Sequence, residues 1–212
     1  AKGVQVRQML VFRYVKTDGY QFVSHLDVLR HIQKTFIRGE IPVEYSQGFN
    51  PHMLIFLSNP LGVGIKSEAE YGVTATSLSA DEFIKKYNEN CPQGIRCVNA
   101  FSVEKNPNLA AIINSARYVM KGLSEKVDLE KILASDCFLM VDKKGNEKNV
   151  RDKIISLKRD ETNLVAILKS GAENLRPDLF SAKLESLYGF EFEDVVKTAS
   201  FIDGRTPEEV LK

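Results

Sequence analysis

The sequence predicts an α+β protein in which two helices cover one face of a mainly antiparallel sheet, an arrangement that occurs twice along the chain. Three observations predict it. Two amphipathic segments, Ser24 to about Arg38 and Ser79 to Asn90, each open on a serine with an acidic residue, Asp27 or Glu82, three positions on, the signature of a capped helix start. Between and around them lie short β-branched and aromatic runs that read as strands. Residues 109–212 then repeat the element order of residues 1–105 without any residue-level repeat. Strand, helix, strands, helix, strand is the order of a ferredoxin-like α/β sandwich, so two tandem halves, 1–105 and 109–212, are expected, each with its own core.

The elements follow in order. Val4 to Lys16 is a strand in which Leu10, Phe12 and Tyr14 alternate with Val11, Arg13 and Val15. Thr17-Asp18-Gly19 turns the chain, and Tyr20 to Val23 resumes an extended course. The first helix carries an apolar stripe of Leu29, Ile32 and Phe36, while Arg30, Lys34 and Arg38 share a separate ridge, and Gly39 ends it. Ile41 to Tyr45 and Met53 to Leu57 read as strands around the loop Ser46 to His52, where Gly48 can take a positive φ and Asn50 is held out of the helical region by Pro51. After the turn Asn59 to Gly64 come the strand Ala69 to Thr76, the second helix, stopped by Cys91-Pro92, and the strand Gly94 to Val103. Asn106-Pro107-Asn108 marks the linker. In the second half, strands are expected at Ala116 to Leu123, Cys137 to Asp142, Val150 to Leu157 and Asn163 to Leu168, and Phe190 to Ile202 includes a closing strand. Helices are expected from Ser124 to Ala134 and from Arg176 to about Leu187, and Lys143 to Lys148 forms a hairpin tip.

The 212 residues are 43% hydrophobic and 27% charged, the composition of an ordinary globular protein. The net charge is +1, and neither half is strongly basic, so any polyanion partner has to be met by a local patch. No apolar run approaches the roughly 20 residues that span a bilayer, and a cytoplasmic protein without a membrane partner is expected. Cys91, Cys97 and Cys137 are too few and too widely spaced for a metal cluster and read as buried or incidental thiols.

Most chemistry-bearing side chains fall between Phe22 and Tyr71. His25 and His52 are candidates for acid and base, because an imidazole near neutral pKa both takes and gives protons; the plainer reading has His25 structural in the first helical turn and His52 fixing the loop after Pro51. Asp27 can orient a histidine, yet its place three residues after the serine cap already accounts for it. His25 and Asp27, at i and i+2, point to different helix faces, so no metal site is expected from them with His52. Arg13, Arg30 and Lys34 are candidates to hold phosphate and Tyr45 and Phe49 to stack on bases, with Lys16 and Lys66 extending the patch; a solvated helix face is the alternative. His25, Asp27, Ser46, Gly48, Asn50, His52, Gly62 and Gly64 outline the expected pocket. Gly62-Val63-Gly64 lacks the third glycine and prompt helix of a dinucleotide fingerprint, which leaves a tight turn or an anion-binding loop. The second half offers a possible protein-docking sheet and no chemical constellation.

The ordered motifs RYVKTDGYQFVSHLDVLR, IPVEYSQGFNPH and PLGVGIKSEAEY closely resemble the bacterial family of radical-SAM-linked proteins over most of residues 7–120, and LRPDLF fits its weaker second half. The resemblance implies a protein fused or adjacent to a radical S-adenosylmethionine (SAM) protein, commonly near genes for ribosomal proteins and an RNase. This chain has no Cys-x3-Cys-x2-Cys triplet, so an iron-sulfur cluster and S-adenosylmethionine are expected only in that partner, and no cofactor here. Where many relatives resemble Arg-x-x-Arg-Arg late in the first helix, this chain has Lys34, Thr35, Phe36, Ile37 and Arg38, a thinner basic ridge. The function expected is an accessory domain that binds RNA and presents RNA or a ribosomal component to a radical SAM enzyme, in the setting of tRNA or ribosome modification. The alternatives are a metal-independent RNA-processing enzyme using His25 and His52, and a protein-docking module for the same partner.

Overall fold

The computed structural model describes residues 7–122, 124–142 and 145–212. Val4 to Val6 of the expected first strand, Leu123, and Lys143 and Lys144 of the expected hairpin tip lie outside these residues. The first half contains β1 (Gln8–Lys16), α1 (His25–Arg38), β2 (Ile55–Leu57), β3 (Lys66–Thr76), α2 (Ala80–Asn90) and β4 (Cys97–Val103). A short α3 (Leu109–Ile112) leads into β5 (Ser115–Lys121), α4 (Leu129–Ala134), the hairpin β6 (Leu139–Val141) and β7 (Glu147–Asn149), then β8 (Ile154–Asp160), β9 (Asn163–Lys169), α5 (Pro177–Tyr188), β10 (Asp194–Phe201) and α6 (Pro207–Leu211). β4 pairs with β1, β1 with β3, and β3 with β2; likewise β10 pairs with β5, β5 with β9, and β9 with β8. Each half therefore has the split βαβ order of a ferredoxin-like unit, with the β6–β7 hairpin inserted in the second.

The two halves share one sheet. β10 lies parallel to β3, with Val196 beside Lys66 and Lys197 beside Ser67, and this pair is the only strand contact joining them among the described residues. Apolar side chains cross the joint as well: Leu61 and Ile65, from the turn before β3, belong to the core of the second half. In the first half, Phe12 meets Phe36, Phe83 and Tyr87 at ring centroid distances of 5.3 to 6.2 Å. A Cβ on Gly72 would stand 2.3 Å from Cζ of Phe12, so only glycine lets that ring lie on β3. Behind the first half, α3 and α6 cover Val11, Ala69, Tyr71 and Val73. The corresponding face of the second half has an apolar cleft of about 490 Å³ among Ile155, Ile167 and Phe201.

Several elements differ from the sequence reading for local reasons. Tyr20–Phe22 is a 3-10 turn rather than extended chain, because Gly19 takes φ 91° and Val23 N donates to Tyr20 O. Ile41 to Tyr45 forms no strand; Tyr45 makes a single bridge to Met53. Ser124 opens a 3-10 turn, and Asp128 caps α4 instead by accepting a hydrogen bond from Lys131 N at 3.0 Å. The closing strand, Asp194–Phe201, falls within the expected stretch, and α6, which follows it, has no counterpart in the expected elements.

Candidate functional site

Two regions carry the candidate residues. The first is the exposed surface formed by α1 and the loop after it. Ser24 caps α1: its Oγ accepts from Asp27 N at 3.2 Å and donates to Asp27 Oδ2 at 2.7 Å, while Val23 and Val28 on either side of the cap pack into the core. Arg30 Nη1 donates to Asp27 Oδ1 at 2.6 Å. The Ser24 hydroxyl first, and Arg30 second, hold the Asp27 carboxyl below the usual carboxylate range. Asp27 is thus occupied at the helix start. On the basic ridge, Arg38 donates to Asn90 O at 3.1 and 2.7 Å and ties α1 to the end of α2. Arg30 and Lys34 are exposed.

The loop is closed by its own ends. Ser46 N donates to His52 O at 2.9 Å, Leu54 N to Glu44 O at 2.8 Å, and His52 N to Ser46 Oγ at 3.1 Å. Ser46 Oγ also lies 2.7 Å from His52 Nδ1. With the hydroxyl donating, the ring proton sits on Nε2. Gly48, at φ 126°, makes the bend, and Gln47 to Pro51 are all exposed. Phe49 stands fully in solvent at the tip, and the Tyr45 ring is half-exposed at the base.

Arg13 is elsewhere. The period-2 alternation of β1 turns it to the face under α6, where Nε is 3.5 Å from Glu208 Oε1; Tyr71 donates to Glu208 Oε2 at 2.8 Å and Asn99 to Oε1 at 3.2 Å. Its expected place in a phosphate-binding patch with Arg30 and Lys34 is therefore corrected: the sheet lies between them. His25 and His52 also have separate surroundings, with no hydrogen bond between them among the described residues. Burial pushes the His25 imidazole below its ordinary pKa, against the opposing pull of Glu70.

Glu70 belongs to the second region, the joint between the halves. Tyr14 pairs across strands with Glu70, and Lys197 with Tyr118, while Lys16 and Lys197 flank Ser67 from β1 and β10. Bulges interrupt the β1–β3 and β10–β5 ladders at this level, one after Tyr14 and one after Lys197. Such bulges re-aim side chains, and here Ser67 and Glu70 come to one side. Glu70, 2% exposed, accepts from Lys197 Nζ at 2.8 Å and from Ser67 Oγ at 2.8 Å. Burial pushes the Lys16 ammonium below its ordinary pKa, and burial followed by Glu70 pushes the Tyr14 and Tyr118 phenols up.

A cleft of about 380 Å³ opens beside this row, walled by Asn59 to Val63 on one side and by Asn174, Arg176 and Pro177 on the other, with Tyr118 and Lys197 also lining it. The loop is fixed by Gly64 N donating to Gln21 O at 2.7 Å, and Gly62 lies against the Asp178 carboxylate that holds Arg176. Of the expected pocket, Gly62 is at this cleft, while Ser46, Gly48, Asn50 and His52 make the exposed loop. Glu70, Tyr118, Arg176 and Lys197 were not singled out from the sequence. The one available signal was a charged residue inside an apolar strand, Lys197 in VVKTAS and Glu70 in AEYGV. Among the described residues, no three His, Cys, Asp or Glu side chains gather as a metal ion requires, and no helix is long and apolar enough to cross a membrane. Burial pushes the Cys97 thiol up to about 12.

Residues 9–177 match a family described as an uncharacterized protein conserved in bacteria (DUF2344). No curated protein matches the chain. Among solved structures, the small subunit of acetolactate synthase from Thermotoga maritima is similar at 12% identity over 92% of this chain and 96% of that chain, with a TM-score of 0.26, too low to bear on function.

Proposed function

The chain belongs to this family of uncharacterised bacterial proteins, and we propose that it is an RNA-binding accessory module that holds RNA, or a ribosomal component, for a radical SAM partner. The observation that carries the reading is Phe49, a fully exposed ring at the tip of a loop closed by Ser46 and His52. A large apolar side chain held in water gains nothing for the fold, and a base is a fitting cover for it, since every base has a π-face. Tyr45 offers a second ring, and Arg30 and Lys34 on α1 offer cations for phosphate. The partner is supported by the three ordered motifs, whose resemblance is to radical-SAM-linked proteins. In this reading His52 braces the loop rather than moving a proton.

The test is binding of labelled cellular RNA fractions by the purified chain across a salt series. Saturable binding that weakens with salt, and weakens further in Phe49→Ala, is expected. Equal binding by Phe49→Ala, or none at low salt, would move the function to protein docking.

A further inference from the structure

The cleft at the joint has features that the RNA reading leaves unused. Tyr118 is 4% exposed and lines the cleft, yet its hydroxyl has no hydrogen bond among the described residues. Lys16, across Ser67 from Lys197 rather than in the cleft lining, is 3% exposed, and its ammonium has neither a hydrogen bond nor an ion pair among the described residues. The Nε of Arg13, on the opposite face, is the only side-chain polar atom among the described residues that is both sealed and without a hydrogen bond, so the Tyr118 hydroxyl and the Lys16 ammonium each touch open space. Both groups are thus within reach of solvent although their residues are nearly buried, and of the two it is Tyr118 that lines the cleft.

The charges there are also unequal. Lys197 pairs with Glu70, Arg176 with Asp178, and Lys66 with Asp194, which leaves Lys16 as a second ammonium sharing the field of Glu70. The joint beside the cleft thus sets two lysines against one buried carboxylate, a positive local field. Donors remain for an added anion. Lys197 spends one of its three N–H groups on Glu70, and the Nη1 of Arg176 is not among the atoms that hold Asp178.

We propose that the joint cleft binds the oxyanion group, phosphate or carboxylate, of a small molecule, with Lys197 and Arg176 as charged partners and Tyr118 and Asn174 as further donors. A cleft of about 380 Å³ fits a small ligand rather than a nucleic-acid strand. This site is independent of Phe49, so the two proposals fail separately.

Thermal unfolding of the full chain in inorganic phosphate, and separately in citrate, against chloride at matched ionic strength and pH, tests it. A saturable rise in midpoint is expected with at least one anion, and which one names the oxyanion class. Tyr118→Phe and Arg176→Gln should each raise the half-effect concentration roughly tenfold or more, while Phe49→Ala leaves it unchanged. Tyr118→Phe keeps the ring, so the test survives if Arg176→Gln folds poorly. No saturable rise with either anion overturns the proposal, as does a rise that both variants retain. Displacement of phosphate by RNA fragments, persisting in Phe49→Ala, would give the cleft to RNA instead.

Discussion

Phe49 and Lys197 stand at opposite extremes of this molecule. The ring of Phe49 is wholly in solvent, on a loop shaped by its own ends and by Gly48, whereas Lys197 is 5% exposed and its ammonium is bonded to the still more buried Glu70. Phe49 belongs to no core cluster among the described residues, whereas Lys197 is the ion-pair partner of a buried carboxylate. The difference teaches where each region's chemistry is bound to stability. The loop and α1 ridge are free to change with a partner, while the joint is a place where polar groups oppose folding and yet hold two halves together.

The largest effect should separate the two regions outright. Lys197→Met leaves the buried Glu70 with the Ser67 hydroxyl but without its ion-pair partner and is expected to cost about 3–5 kcal/mol in chemical denaturation, with much of the loss recovered by adding Glu70→Gln. If the single change cost no more than a surface substitution, the pair would not be the joint's main ionic contact. Next, Phe49→Ala should weaken RNA binding by about 1–3 kcal/mol, the range for one stacked base, while unfolding stays within about 0.5 kcal/mol. A large loss of stability in that variant would show the ring to be structural. Lys16→Met sharpens the contrast from the other side: replacing an ammonium that has no partner among the described residues, on a nearly buried side chain, by an apolar chain should leave stability unchanged or raise it by up to about 2 kcal/mol. A clear drop would reveal a partner for Lys16. Arg30→Ala with Lys34→Ala should lower the salt slope of RNA binding by about 1 to 2, with little change in melting.

The smallest effect is in pH. Burial lowers the folded pKa of His25 below its unfolded value near 6.5, so the unfolded chain binds more protons between the two values. The stability from a neutral His25 is fully present above about 6.5 and falls as pH drops through the folded pKa. His25→Gln should flatten that part of a melting-versus-pH curve; an unchanged curve would place the acid-sensitive group elsewhere.

The local signals were legible because they are short-range. Ser24 and Ser79 cap α1 and α2 as their spacing with Asp27 and Glu82 indicates, and the α+β class with its repeated element order follows from such punctuation. What was not legible depends on contacts far along the chain. Nothing near Ser67 announces that Lys197 will lie beside it, or that Glu208 will reach Arg13 from the last helix. The alternation in β1 did place Arg13 opposite Tyr14, but not that α6 would cover that face. Ser124 has the right residue type for a cap, and Asp128 took the role because a 3-10 turn comes first. The exposed loop could be read from its own residues, whereas the joint needed the fold.

The most direct test of the account is RNA binding by wild type, Phe49→Ala and Arg176→Gln, measured side by side across a salt series. Saturable, salt-sensitive binding that Phe49→Ala loses and Arg176→Gln keeps is the expected result. Absence of binding by the wild-type chain at low salt, or equal binding by all three, would contradict it.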